Sequence, residues 1–308
     1  MIKIKKTIGI VGSGSHFLNK IYPVLLRSNY FKISGILSNN KKFFKNIKCY
    51  TEKDFFRKSF DFIYISCPNI FHEKYIIKSL KNSSHVICEK PFLVKKKNIK
   101  KILLLSEKKK KLVFESFMFL YHPVFSYVKN LLKYKKYGKL EYLISNFRFP
   151  SLDKENHRYN YKGGGFFLDT ACYLLALENY LFNKNSLINI FSQRIKDKFD
   201  LRGNIYIKSK INRFYFWGEG QNYSNNLEIF FSKASIFIDK FFSKRDNEVI
   251  VAKIHYKNQI IKKKFNQVNH FQEMFNVVAK NYKKVLFQNF HRKKIKDQLN
   301  LMLNYNKR

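Results

Sequence analysis

Thr7-Ile8-Gly9-Ile10-Val11-Gly12-Ser13-Gly14-Ser15-His16-Phe17 is the stretch on which the fold turns. The apolar run Thr7–Val11 ends in glycine and predicts a buried strand. Ser15–Arg27 follows with Leu18, Ile21 and Leu25 at helical spacing. Strand, glycine turn and helix in this order form the first half of a βαβ unit that receives a dinucleotide. Gly12 allows the tight turn. Gly14 lets backbone approach a pyrophosphate, which then rests on the helix N-terminus together with Ser13, Ser15, His16 and Phe17. Phe17 stands where the usual G-x-G-x-x-G has its third glycine, so a wider turn or a shifted helix start is expected.

The same alternation continues outward. Lys32–Leu37, Asp61–Ser66, His85–Cys88 and Leu112–Glu115 read as strands, and Phe71–Leu80 and Asn98–Lys110 as amphipathic helices between them. Strands separated by helices of this length pair in parallel. After Pro123 the texture changes. Val124–Tyr134 reads as a helix. Leu140–Phe149, Leu187–Arg194, Asn204–Phe216, Asn226–Phe231, Ser235–Phe242, Val249–Tyr256 and Gln259–Phe265 read as strands joined by short turns, the mark of an antiparallel sheet. An apolar helix, Phe166–Phe182, interrupts them, and helices over Val268–Lys280 and His291–Asn304 close the chain. The expected class is α/β: an N-terminal doubly wound parallel sheet of the Rossmann type over 1–122, then an α+β domain over 123–308 with a large, mostly antiparallel sheet.

Composition narrows the classes. The 308 residues are 45% apolar with only 11 Gly and 5 Pro, which excludes collagenous and broadly disordered chains. No apolar run approaches the roughly 18–20 residues of a transmembrane helix, and Ile8–Val11 is too short for a signal-peptide core. The four cysteines, Cys49, Cys67, Cys88 and Cys172, form no C-x-x-C pair, so free thiols in a reducing cytoplasm are expected and no metal site is. The net charge of +40 divides as +19 over residues 1–122 and +21 over the rest. It comes from 51 Lys and 10 Arg, whereas bidentate readers of bases and phosphates favour Arg. Charge spread in this way supplies non-specific phosphate attraction, not specific nucleic-acid recognition. Neither nucleic acid nor membrane is an expected partner.

The second strand speaks to the dinucleotide. It ends Leu37-Ser38-Asn39-Asn40-Lys41-Lys42, with no acid to accept from a ribose 2′-hydroxyl and repel a 2′-phosphate. NADP is favoured over NAD, with Ser38 and Asn39 at the 2′ position.

Four further blocks follow in order: Cys67-Pro68-Asn69-Ile70-Phe71-His72; Cys88-Glu89-Lys90-Pro91; Asn156-His157-Arg158; and Gly163-Gly164-Gly165-Phe166-Phe167-Leu168-Asp169-Thr170-Ala171-Cys172-Tyr173. Together with Glu115–Pro123 they resemble the Gfo/Idh/MocA family of dehydrogenases across nearly the whole chain. The resemblance implies an NAD(P)-dependent oxidoreductase acting on a sugar, sugar nucleotide or polyol. It implies that Cys67, Pro68, Asn69, His72 and Glu89 help hold the cofactor, and that Lys90 contacts nicotinamide and substrate. It further implies that Arg158 and Asp169 meet substrate and that Tyr173 is the proton donor. Tyr173 where many members have His looks like the sugar-nucleotide 3-ketoreductase and dihydrodiol dehydrogenase side of the family. Leu120 stands where many members carry Arg.

The chemistry suits those residue types. Hydride transfer to a ketone builds negative charge on oxygen, which needs a proton and electrostatic support. An unperturbed tyrosine is protonated at neutral pH, as a donor must be. Asp169 and Tyr173 are four apart on the expected helix, which puts them on one face about 6 Å apart along the axis. The alternatives are a trans-dihydrodiol or aldose dehydrogenase of the same fold, and a regulatory protein that binds NAD(P) without turnover. Self-association through an uncovered face of the second sheet is expected, since antiparallel sheets often leave one face open.

Overall fold

The computed structural model describes residues 4–38, 43–153, 155–159, 165–182, 187–195, 199–220 and 222–304. Of the residues singled out above, Asn39, Asn40, Lys41, Lys42, Gly163 and Gly164 lie outside them. The chain divides into two compact units. The first joins Met1–Met118 to Phe271–Leu299, and the second joins Phe119–His270 to Asn300–Arg308.

The first unit is built on seven strands: β1 (Lys6–Val11), β2 (Phe31–Leu37), β3 (Phe43–Phe44), β4 (Ile47–Tyr50), β5 (Phe62–Ile65), β6 (His85–Cys88) and β7 (Val113–Glu115). Their spatial order is β3-β4-β2-β1-β5-β6-β7, and every pairing is parallel except β3 with β4. The order reverses beside β1, the switch point at which such sheets bind ligands. α1 (Tyr22–Leu26), α2 (Glu52–Phe55), α3 (His72–Lys81) and α4 (Ile99–Lys108) connect the strands. All four residues of β5 and of β6 are buried, as expected for strands covered on both faces.

The β3–β4 hairpin was not legible, because Ile47-Lys48-Cys49-Tyr50 is too short and too polar to read as a strand.

The sequence reading assigns all of 123–308 to the second domain, yet Phe271–Leu299 pack with the first unit. Phe275 meets the rings of Phe31 and Tyr64 at 5.7 and 5.8 Å. Tyr282 meets Phe62 and His85 at 5.0 and 4.7 Å, and Phe287 and His291 meet Phe114.

The second unit opens with α5 (Pro123–Tyr134), then β8 (Leu140–Arg148) and α6 (Cys172–Leu181). β9 (Leu187–Ile195), β10 (Phe199–Lys208), β11 (Asn212–Gly218), β12 (Ser224–Phe231), β13 (Ala234–Asp239), β14 (Val251–Tyr256) and β15 (Gln259–Lys264) complete an eight-stranded sheet. Its order is β15-β14-β13-β12-β8-β11-β10-β9, antiparallel throughout except for the parallel β8–β11 pair.

Residues 204–216, expected as one strand, contain a turn at Ser209–Ile211, where Ser209 Oγ accepts from the Ile211 N–H. The strands β12 and β13 alternate buried with mostly half-buried positions. α7 (His270–Asn281) and α8 (Val285–Leu303) end the fold. α8 begins six residues before the expected His291, because its first turns carry the exposed apolar residues Val285 and Leu286.

Candidate active site

In the first unit the expected cofactor residues gather at the C-terminal ends of β1, β2, β5 and β6. Gly12 has φ +97°, a left-handed backbone. A Cβ there would stand 2.5 Å from the Cys67 nitrogen and 2.7 Å from the Ser66 carbonyl carbon. The glycine is thus demanded by the close approach of two chain segments, and Ser66 Oγ adds a hydrogen bond to the Gly12 carbonyl at 2.7 Å. Gly14 is the opposite case: a Cβ there would meet nothing within 4 Å. Ser13, Gly14 and Ser15 form the accessible lip of the turn.

Phe17 is fully buried against Tyr22 and Phe44, so its side chain belongs to the core and only its backbone faces the turn. A phenylalanine where glycine normally permits close helix–strand packing needs room. The helix accordingly opens with the π-helical turn Phe17–Ile21 before becoming α1.

Behind the turn lies an ion pair that single-residue reading missed. His16 Nε2 sits 3.2 Å from Glu89 Oε1, and the Tyr64 hydroxyl donates to the same oxygen. His16 keeps 43% of its side chain exposed, whereas Glu89 and Tyr64 are buried. Burial works against the His16 imidazolium, but the charge and hydrogen bond of Glu89 outweigh it, and the ring is raised above its ordinary value. Burial likewise works against the Glu89 carboxylate. His16, the Tyr64 hydroxyl and neighbouring Lys90 more than offset it, and Glu89 is held below the ordinary carboxylate range. Glu89 is therefore ionised at neutral pH, and the His16 ring keeps its proton to higher pH than a free imidazole.

The loop after β5 carries Cys67, Pro68 and Asn69. Burial pushes the Cys67 thiol up to about 12, which makes it inert. Asn69 Oδ1 is buried without a hydrogen-bond partner. His72, expected among the cofactor contacts, is buried instead as an internal tie. Its Nδ1 lies 2.9 Å from the Pro91 carbonyl and its Nε2 2.9 Å from the Cys67 carbonyl. Burial holds the ring below its ordinary value, so the neutral imidazole donates its single N–H to one carbonyl at a time. It links this loop to the turn that carries the half-buried Lys90. Ser38 is half-buried at the end of β2, where its N–H donates to the Tyr50 carbonyl.

A dinucleotide fits this cradle on two observations of the chain itself. The space beside Gly14 is open to a pyrophosphate, and the orphaned Asn69 oxygen asks for a donor. Among the described residues no cluster of His, Cys, Asp and Glu could hold a metal ion, and no helix is long and apolar enough to cross a membrane. The four cysteines are free thiols.

In the second unit Asp169 lies in another π-helical turn, Phe167–Ala171, which leads into α6. Arg158 Nε donates to Asp169 Oδ2 at 2.7 Å, and Asn156 Oδ1 accepts from the Arg158 backbone at 3.1 Å. Gly165, at φ +73°, is fixed by the approach of Asp200, whose backbone nitrogen would stand 3.0 Å from a Cβ. Tyr173 is the second residue of α6 and is 7% exposed. Its ring is set by Phe119, Phe147 and Phe242 at centroid distances of 5.8, 5.1 and 6.0 Å. Further along α6, Glu178 takes a two-pronged ion pair from the buried Arg213, with both contacts at 2.8 Å, and a hydrogen bond from the Tyr215 hydroxyl at 2.9 Å. This pins the helix that carries Tyr173 to β11.

Comparison with known proteins follows the same outline. Residues 6–117 match a family described as "Oxidoreductase family, NAD-binding Rossmann fold". A dTDP-3,4-didehydro-2,6-dideoxy-alpha-D-glucose 3-reductase from Saccharopolyspora spinosa is 24% identical over 249 residues, 77% of this chain and 75% of the relative. A trans-1,2-dihydrobenzene-1,2-diol dehydrogenase from Xenopus laevis is 25% identical over 123 residues, 40% of this chain and 37% of the relative. Among solved structures, a 3-ketoreductase from Actinomadura kijaniata in complex with NADP and TDP-benzene superposes with a TM-score of 0.87. It is 18% identical, with 97% of this chain and 95% of that one covered, and so shares the fold of both units.

Proposed function

Residues 6–117 belong to the Gfo/Idh/MocA oxidoreductase family, and from that premise we propose that this chain is an NADP-dependent reductase of a sugar-nucleotide carbonyl. The observation that carries the reading is the cradle at the switch point: open space at Gly14, an orphaned acceptor on Asn69, and Lys90 beside an ionised Glu89. The names of the relatives support the substrate class, since a relative that aligns over 75% of its own length is a dTDP-sugar 3-reductase. Ser13, Gly14, Ser15 and His16 would receive the pyrophosphate, Asn69 a donor group of the cofactor, and Ser38 with Asn39 the 2′-phosphate.

When bound, NADPH supplies a hydride to the carbonyl carbon. The protein has to place the carbonyl and complete the alcohol. Lys90 directs its ammonium at the substrate oxygen, where charge develops. The Tyr173 hydroxyl gives that oxygen its proton and recovers one from solvent. Three aromatic rings fix the tyrosine, so its hydroxyl arrives in one orientation. Arg158 and Asp169 neutralise each other and present hydrogen-bonding edges to the sugar.

A trans-dihydrodiol or aldose dehydrogenase is the second reading, favoured by the Xenopus laevis relative. Self-association belongs to the proposal as well. The eight-stranded sheet exposes Phe191 and Phe216 around a shallow pocket of about 280 Å³ flanked by Arg148 and Arg202.

The test is single-turnover NADPH oxidation with a dTDP-linked keto-hexose. Tyr173→Phe keeps the ring packing and should slow the step by roughly 10²–10⁴, with NADPH affinity unchanged. Near-normal turnover in this variant would remove Tyr173 from its role. Ser38→Asp should flatten or reverse the preference for NADPH over NADH, and a wild-type preference for NADH would overturn the cofactor assignment.

A further inference from the structure

One buried acid in the first unit has no part in the chemistry above. Glu115 ends β7, and β7 pairs with β6 in parallel so that Cys88 and Glu115 are partners. The Ser116 N–H donates to the Cys88 carbonyl at 2.9 Å and fixes that end of the strand. Glu115 is only 5% exposed, and its Oε1 accepts from the Phe92 N–H at 2.8 Å. Phe92 closes the turn Glu89-Lys90-Pro91, whose other side His72 ties down at the Pro91 carbonyl. Lys90 therefore stands on a turn with two anchors, a neutral imidazole and a carboxyl.

We propose that Glu115 is a positioning residue for Lys90, anchoring its turn through the Phe92 N–H, and that the charge on the carboxyl sets how firmly the turn is held. The proposal rests on the reading that Lys90 meets the cofactor. An ionised carboxylate accepts a shorter and about twice stronger hydrogen bond than a neutral carboxyl. The groups facing Glu115 are Glu89 and Lys90 on the turn and the Cys88 thiol on β6. Burial is the largest influence and pushes the carboxyl up; the Phe92 N–H opposes it, Glu89 adds to it, and Lys90 opposes it, leaving the group at about 8. Glu89, one strand end away, is held ionised by His16 and Tyr64. Two neighbouring carboxyls pushed in opposite directions mark a division of roles. Glu89 is a fixed charge, and Glu115, raised by burial to about 8, gains its charge in the mildly alkaline range. The turn tightens as pH rises.

The experiment uses the full chain and three proteins: wild type, Glu115→Gln and Glu115→Ala. The first readout is the Phe92 amide proton and nitrogen shift between pH values of about 6 and 9.5. It should follow one titration in wild type and lie flat in Glu115→Gln, which keeps an acceptor but has no charge to gain. The second is NADPH affinity over the same range. Relative to Glu115→Gln, wild type should tighten by roughly 3- to 10-fold on the alkaline side, as a charge-assisted bond replaces a neutral one. Glu115→Ala should bind more weakly than either at every pH. A flat Phe92 amide in wild type, or superposable affinity profiles for wild type and Glu115→Gln, would overturn the proposal. If Glu115→Ala does not fold, the comparison of wild type with Glu115→Gln still decides. If wild type binds no NADPH at all, the function proposed above fails, and the Phe92 amide alone decides whether Glu115 is the anchor.

Discussion

Gly12 and Gly14 look equivalent in the glycine turn, and the structure gives them different work, which makes a paired substitution decisive. Gly12→Ala places a methyl 2.5 Å from the Cys67 nitrogen and 2.8 Å from its Cα, backbone atoms that cannot swing aside. It also puts a side chain on a left-handed backbone at φ +97°. The backbone strain costs about 1–3 kcal/mol. The overpacking adds about 1–3 kcal/mol. The expected loss of about 2–6 kcal/mol is a large part of the ordinary 5–15 kcal/mol stability. The midpoint of thermal unfolding should fall by roughly 5–20 °C. Gly14→Val meets open space and should alter stability by less than about 1 kcal/mol. It should nonetheless weaken NADPH binding at least tenfold, about 1.4 kcal/mol, because its branches fill the space a pyrophosphate would take. Differential scanning calorimetry and fluorescence titration separate the two effects. Wild-type melting by Gly12→Ala would refute the backbone-contact argument, and undiminished NADPH binding by Gly14→Val would refute the placement of the phosphates.

Two further outcomes concern the charged pairs. His16 has its folded-state value raised above the ordinary imidazole value of 6.5, so its contact with Glu89 stabilises the fold fully below that pH and is lost as pH rises through the raised value. The stability difference between wild type and His16→Gln should shrink on going alkaline from about 6.5, measured by urea unfolding; a difference that grows there would sink the assignment. Glu178→Ala strands the buried Arg213 guanidinium and should cost about 3–5 kcal/mol. The double change Glu178→Met with Arg213→Met should cost less than that single one, and strict additivity in the cycle would refute the coupling.

The order of strands and helices in the first unit was open to reading because parallel strands are continuous apolar runs and their helices carry one apolar face. The turn at Ser209–Ile211 was harder to see, since neither Gly nor Pro marks it. Nor does periodicity reveal a π-helical turn, and two of them open the helices that carry His16's neighbour Phe17 and Asp169. The expectation that Lys90 and Tyr173 carry the chemistry rests on motif order, not on any local property, as each is one of many of its kind. The Glu89–His16–Tyr64 cluster joins residues far apart in sequence, and no spacing rule reaches across that distance. His72 illustrates the limit of motifs: the residue type was noticed, but its burial between two carbonyls follows only from three-dimensional packing.

The return of Phe271–Leu299 to the first unit has a consequence for synthesis on the ribosome. The nucleotide-type sheet is translated by Met118, yet Phe31, Phe62, Tyr64 and Phe114 gain further aromatic partners from Phe275, Tyr282, Phe287 and His291. Until those residues leave the exit tunnel, one face of the sheet is a bare aromatic surface that a chaperone would cover. The second unit, whose chain is nearly complete by His270, has no such wait. The part made first therefore waits through the synthesis of Phe119–His270 before Phe271–Leu299 can cover its sheet.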